Sequence, residues 1–256
     1  MGNRIKLLLC CLLSGLTAYA QSNDVPLRIM TYNIPHGAGM DDVLDLSRQA
    51  KVIKDIDPDV VGLQEVDSVV EPSGNLDQAT WLADSLGMCG TFGPAIPLSG
   101  GKYGVAILSK QRPLSFRNIP LPGREPRTLL VCEFEEYVFA TTHLDLAEDR
   151  RLASLPLIIE EAARWEKPFF ICGDWNDGPN SAVITKLQKD FVILNSISED
   201  TSSYTFPADK PTSTIDYIAR FGQSTSAVKS LVIDERMASD HRPLIVEVEE
   251  IQRKTP

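Results

Sequence analysis

The sequence predicts an α/β protein built on two mostly antiparallel sheets placed face to face, with helices outside. Three observations point there. Short apolar runs rich in Val, Ile, Phe and Thr recur along the chain, several in adjacent pairs. Amphipathic helical stretches stand between only some of these runs, so a regular strand–helix alternation does not fit. No Gly/Ser/Pro-rich linker, charge block or repeat interrupts the chain, so residues 21–256 read as one domain.

The elements follow in order. L-R-I-M-T-Y-N at 27–33 reads as the first strand. Asp41 to Ile56 carries Val43, Leu46, Ala50, Ile53 and Ile56 at helical spacing, with acids in the first turn, and Asp57-Pro58-Asp59 ends it. V-V-G-L-Q at 60–64 is a short buried strand, and Asp77 to Leu86 a second helix. Strands follow at 103–109, 128–134 and 137–142, the last two joined as a hairpin through Glu135-Glu136. Ala147 to Trp165 reads as a helix that Pro156 should kink or split. P-F-F-I-C-G-D at 168–174 is a buried strand, Ser181 to Leu187 a short helix, and 213–220, 226–233 and 243–249 are late strands.

The first twenty residues stand apart. Arg4 and Lys6 precede an apolar run from Leu7 to Leu16, and Ala18-Tyr19-Ala20 supplies a small-residue cleavage pattern. This predicts a secretory signal peptide over residues 1–20 and an exported, periplasmic or extracellular product with no transmembrane segment in the mature chain. Its removal takes two basic groups and no acid, so the formal charge moves from −10 by a further −2 to −12. A surface that acidic repels phosphate backbones at long range and argues against nonspecific nucleic-acid binding. Cys89, Cys132 and Cys172 remain, an odd number. Cys132 and Cys172 fall in strand-like runs and read as buried free thiols.

Polar residues collect near the ends of the predicted strands: Asn33, Glu65, His143, Asp174 and Asn176, Asp216, and Asp240 with His241. Loops at strand ends are held close by a rigid sheet, so sites gather there. Each residue alone has a plainer explanation. Glu65 suits an exposed turn, Asn33 a turn's backbone groups, and Gly173-Asp174 with Asn176-Asp177-Gly178 a turn or helix cap. Asp216 resists that treatment, because a carboxylate inside S-T-I-D-Y-I-A is costly unless paired. The mature chain holds only His36, His143 and His241, and each lies beside one of these clusters. Histidine suits acid–base work near neutral pH. No G-x-S-x-G, H-E-x-x-H or C-x-x-C is present, so a serine nucleophile and a zinc site are poorly supported. Carboxylate and amide oxygens instead suit a hard cation: Mg²⁺ or Mn²⁺, with Ca²⁺ a further option.

T-Y-N-I (31–34), L-Q-E-V (63–66), T-H-L-D (142–145), G-D-W-N-D (173–177), I-D-Y-I (215–218) and S-D-H-R-P-L (239–244) occur in that order. Together they resemble the endonuclease/exonuclease/phosphatase superfamily of DNase-I-like, metal-dependent phosphohydrolases. Y-G-V-A-I-L-S-K (103–110) and R-E-P-R (124–127) resemble segments of its small secreted bacterial members. The resemblance spans nearly all of the mature chain. It implies a four-layer α/β/β/α sandwich with the site at one edge. It also implies Glu65, Asn33 and Asp240 as metal ligands, and His241 as general base or water-positioning group. Asp216 would hold the His241 imidazole, Asp174 would orient the attacking water, and Asn176 would donate to a phosphate oxygen. His143 would bond a phosphate oxygen or assist the leaving group. Arg127 either contacts a substrate phosphate or merely pairs with Glu125 at the surface. The loop Y-N-I-P-H-G departs from the commoner pattern at Pro35, which leaves the role of His36 open, and Trp175 stands where a phenylalanine is more usual.

The resulting expectation is a monomeric, exported, metal-dependent phosphodiesterase or phosphatase. Its charge favours a small phosphoester, lipid-headgroup or sugar-phosphate substrate over nucleic acid. The alternatives are a nuclease or sphingomyelinase-like enzyme of the same superfamily, and a non-catalytic module that binds a phosphorylated ligand.

Overall fold

A computed structural model describes residues 26–198, 200–223 and 227–252; the predicted signal peptide lies outside them. The chain runs β1 (Pro26–Asn33), α1 (Leu46–Ile56), β2 (Val60–Ser68), α2 (Gln78–Leu86), β3 (Cys89–Leu98), β4 (Gly101–Ser109), β5 (Ser115–Leu121) and β6 (Arg127–Glu133). It continues through β7 (Val138–His143), α3 (Glu148–Ala162), β8 (Phe169–Asp174), α4 (Ala182–Leu187), β9 (Phe191–Ile193), β10 (Asp216–Phe221), β11 (Ala227–Val232) and β12 (Leu244–Gln252). Two six-stranded sheets form, in the orders β11-β12-β1-β2-β4-β3 and β5-β6-β7-β8-β10-β9. Each is antiparallel except for one central parallel pair, β1 with β2 and β7 with β8.

Alternation within the strands sends side chains to two different apolar layers. Leu27, Ile29, Val105 and Ile107 of the first sheet meet Leu130, Cys132, Phe139 and Phe170 of the second in the central layer. The opposite face of the first sheet packs Leu63 and Leu108 under α1 and α2, through Ile53 and Leu82. The opposite face of the second packs Val131 and Ile171 under α3 and α4, through Leu155, Ile158 and Val183. The result is the four-layer α/β/β/α sandwich. Cys132 and Cys172 are buried free thiols, and burial pushes both up to about 12.

Several boundaries differ from the sequence reading. The helix predicted from Asp41 starts at Leu46, because Asp45 caps it: its Oδ1 accepts from Ser47 N at 3.1 Å. Pro156 does not split α3. It stands on the exposed face, where water can satisfy the carbonyl one turn back. Strands β3, β5 and β9 were not predicted: β3 carries Pro94 and Pro97, β5 is mostly exposed, and β9 has three residues. Among the described residues no helix is long and apolar enough to cross a membrane.

Candidate active site

The two parallel pairs set the position of the site. In each pair both strands end at the same edge: Asn33 lies level with Gln64, and His143 level with Asp174. Antiparallel neighbours bring their beginnings to that edge, so Asp216, the first residue of β10, lies opposite Asp174. The segment Ser239–His241 enters just ahead of β12, which runs antiparallel to β1. Asp216 therefore starts its strand rather than interrupting it. Ser239 ties this segment down, since its Oγ donates to the Asn33 carbonyl at 2.7 Å and accepts from His241 N at 3.0 Å.

Glu65 is not past the end of its strand. It sits inside β2, where the register against β4 shifts between Leu63 and Val66. Its φ of 58° is in the left-handed region, which costs a non-glycine residue about 1–2 kcal/mol. This bulge aims Glu65 at Asn33, whose Nδ2 donates to Glu65 Oε1 at 3.0 Å and to Asp174 Oδ2 at 3.1 Å. One amide thus links carboxylates from both sheets.

His241 Nδ1 donates to Asp216 Oδ2 at 2.9 Å, and its Nε2 faces Asp174 Oδ2 at 3.6 Å. Burial opposes charge on this imidazole, but Asp216 and Asp174 outweigh it and hold the group up at about 10. His143 is the opposite case. Burial, aided by the Arg127 charge and opposed by Asp174, pushes it down to about 4. Asn176 Nδ2 donates to His143 Nε2 and to the Leu144 carbonyl, both at 2.9 Å, which fits a neutral ring protonated on Nδ1. Asn176 N also donates to Asp174 Oδ1 at 2.9 Å.

Arg127 is not a surface residue. It is 7 % exposed, with a guanidinium nitrogen 3.1 Å from Glu125 Oε1 and 3.5 Å from His143 Nδ1. Its Nε is buried without a partner among the described residues. Trp175, in G-D-W-N-D, is fully buried and stacks on Tyr217 at 4.8 Å. Sequence reasoning missed Ser239 and Tyr103, which reaches Glu65 and Arg127 from β4. The serine had a visible signal in S-D-H; the tyrosine looked like an ordinary strand aromatic.

The chemistry of the donors fits a divalent cation. Burial, with Asp240 and Asp174 nearby, raises the Glu65 carboxyl despite the Asn33 hydrogen bond. Asn33 Oδ1 is a buried acceptor without a partner among the described residues. Hard oxygen atoms crowded with negative charge are what Mg²⁺ or Mn²⁺ takes. Asp174, Asp216 and His241 also offer ligand atoms within 4.8 Å of one another. Asp216 and the Nδ1 side of His241 already satisfy each other, so Glu65 and Asn33 are the better cation donors.

A cleft of about 640 Å³ opens beside this edge, lined by His36, Asp67, Leu98, Tyr103 and Asp240 among others. On another side Arg124, Arg127 and Asp145 line a hollow of about 460 Å³. Asp145 accepts from Arg124 N at 2.9 Å and so anchors the R-E-P-R segment.

Fold and site together describe a sandwich with an acid–histidine cluster at one edge. Residues 30–241 match the model of the Endonuclease/Exonuclease/phosphatase family, and the chain belongs to that family. Solved structures agree on the fold. An endonuclease/exonuclease/phosphatase from Bacteroides vulgatus superposes with a TM-score of 0.71 at 21 % identity, covering 87 % of this chain and 98 % of that one. The mannosyl-6-phosphatase of Bacteroides thetaiotaomicron gives 0.70 at 17 % identity, covering 87 % and 99 %. The human Nocturnin catalytic domain gives 0.64 at 22 % identity, covering 88 % and 95 %. No curated protein matches.

Proposed function

We propose that the chain is an exported, divalent-metal-dependent phosphoester hydrolase, a phosphodiesterase or phosphatase, working as a monomer through one catalytic domain over residues 21–256. The observation that carries this reading is the convergence of Asn33–Glu65, Asp174 and Asp216–His241 from both sheets on one edge. Family membership supports the reaction class. Glu65 and Asn33, with Asp240 beside them, would hold Mg²⁺ or Mn²⁺. A divalent cation bound there supplies charge neutralisation for the phosphoryl oxygens and lowers the proton affinity of the neighbouring imidazole.

The chain's own residues do the rest. Asp216 fixes the His241 ring so that Nε2 points at the reaction centre, and it stabilises the cation formed when Nε2 takes a proton from water. Asp174, 3.6 Å from Nε2, accepts the second hydrogen bond of that water and orients it. Asn176 and His143 would serve a non-bridging oxygen once it displaces the present bonds from Asn176 Nδ2 to His143 Nε2 and the Leu144 carbonyl, and Arg127 adds a fixed positive charge behind them. The acidic sequence favours a small phosphoester, a lipid headgroup or a sugar phosphate over nucleic acid.

The test is hydrolysis of bis-p-nitrophenyl phosphate and p-nitrophenyl phosphate by the mature protein with Mg²⁺ or Mn²⁺. Turnover that EDTA removes, and that His241→Ala lowers by about 10²–10⁴, supports the reading. No metal-dependent turnover on these or on a broad phosphoester panel points to a binding module.

A further inference from the structure

Asp67 lies two residues beyond Glu65 in β2 and is not used by the chemistry above. It is 3 % exposed, and among the described residues its Oδ1 is buried without a hydrogen-bond partner, while the Ser73 side chain reaches the same carboxylate. Buried carboxylate oxygens are ordinarily paired, so an unpaired one on a cleft wall is an acceptor awaiting a donor. The wall is the 640 Å³ cleft that also carries Asp240 and Tyr103, so whatever fills it adjoins the reacting phosphate. The cleft is of ordinary size for a small-molecule site, within a range of about 300–1,000 Å³.

Its lining selects among occupants. Asp42, Asp67 and Asp240 contribute acids, His36 an imidazole, and Ser73 and Ser99 hydroxyls. Among the described residues no Lys or Arg lines it, so a nucleic-acid backbone continuing through it would set its next phosphates against carboxylates. Among the described residues Tyr103 is the one Phe, Tyr or Trp in the lining, too few for the aromatic box that holds a quaternary ammonium. Pro35, Leu98 and Val70 add apolar surface to the same lining as the acceptors. Neutral polyols present O–H donors around an apolar ring face, and that pattern matches.

We infer that Asp67 is a specificity-determining residue that accepts hydroxyl hydrogens from a neutral, polyhydroxylated leaving group, which makes the substrate a sugar phosphate. This rests on the phosphoester-hydrolase reading and names the side of the cleavage point on which the alcohol sits. Hydroxyl recognition by a buried acceptor discriminates strongly, because the acceptor stays unpaired when the hydroxyl is missing.

The experiment compares kcat/KM for glucose 6-phosphate and mannose 6-phosphate with that for p-nitrophenyl phosphate, in Mg²⁺, for wild type, Asp67→Asn and Asp67→Ala. Thermal melts confirm that each variant is folded; Asp67→Asn keeps the shape if Asp67→Ala does not fold. The expected result is a wild-type preference for a hexose phosphate. The ratio of hexose phosphate to aryl phosphate should then fall about 10- to 100-fold in the variants, the worth of a charge-assisted hydrogen bond. An unchanged ratio overturns the inference while leaving the hydrolase reading intact, as does a wild-type preference for a choline phosphodiester or an oligonucleotide. Failure to hydrolyse any of these esters sinks the hydrolase reading. In that case, calorimetric binding of a hexose phosphate that Asp67→Ala abolishes keeps the subsite, and equal binding by both proteins removes it.

Discussion

The two sheets share one plan and divide the chemistry unequally. In both, a parallel pair joined through a helix, α1 or α3, occupies the middle of six strands, flanked by antiparallel neighbours. The first sheet contributes Asn33, Glu65 and the Asp240–His241 segment; the second contributes His143, Asp174, Asn176 and Asp216. They also reach the shared edge by different backbone means. In the second sheet, β8 turns through Gly173 at φ 151°, where a Cβ would collide with the Thr142 carbonyl, and Asp174 follows outside the positive-φ region. In the first, Glu65 itself takes the left-handed conformation. Within the strands, one sheet assigns the positive-φ position to a glycine and the other to a site residue; Asn176, just past β8, is also left-handed at φ 51°. A bulge residue held in this way is over-determined by its neighbours, which suits a ligand that must not move.

That contrast predicts unequal responses. Glu65→Gln removes the charge and keeps the shape, so kcat for an aryl phosphodiester should fall about 100-fold and the Mg²⁺ concentration for half-maximal rate should rise about tenfold or more. A metal titration of the rate reads both. A variant activated at the wild-type Mg²⁺ concentration would move the cation away from the first sheet.

Below the edge the sheets touch through Gly62 of β2. A Cβ there would collide with Cys172 Sγ and Thr141 Oγ1 of the other sheet. Gln64 Nε2 donates to Thr141 Oγ1 at 2.8 Å in the same layer. Gly62→Ala should destabilise the fold by about 1–3 kcal/mol, measured as a shift in urea midpoint at constant slope. A neutral result would mean that the sheets lie further apart than described.

The smallest effect concerns the far end of β2. Asp77 caps α2, with Oδ1 accepting from Thr80 N at 2.9 Å and Oδ2 from Ser68 Oγ at 2.7 Å. Burial works against the Asp77 carboxylate, but these bonds outweigh it and hold the group below its ordinary range. A depressed folded value gives stability that is present above the unfolded value near about 3.9 and is lost as pH falls through the folded one. Asp77→Ala should therefore cost about 1 kcal/mol at pH 7, and the gap to wild type should close in acid, below the unfolded value. Denaturant melts at pH 7 and in acid check this.

The same contrast explains what could be read from the sequence. Asp174 was legible because it ends the strand-like run P-F-F-I-C-G-D within G-D-W-N-D, and Asp216 because a carboxylate in an apolar run demands a partner. The partner, His241, could be chosen over the adjacent Asp240 because neighbours on an extended chain point apart. Glu65 was legible as a polar residue after V-V-G-L-Q, but the continuation of β2 to Ser68 was not. A bulge is specified by what the opposite strand does, and no local pattern records it. Asp67 stayed hidden for the same reason. The ambiguity at Arg127 was of another kind: only burial separates a surface pair with Glu125 from a guanidinium held against His143.

The account depends on one bond that crosses between the sheets, from Asp216 at the start of β10 to His241 ahead of β12. A double-mutant cycle on metal-dependent hydrolysis of bis-p-nitrophenyl phosphate tests it directly, with Asp216→Asn, His241→Ala and the pair together. If the two act as one unit, each single variant should lose about 10²–10⁴ in kcat, and the double variant should be no slower than the worse single within about threefold. Losses that multiply would mean that the two side chains act independently, and the shared edge would not be the reaction centre described here.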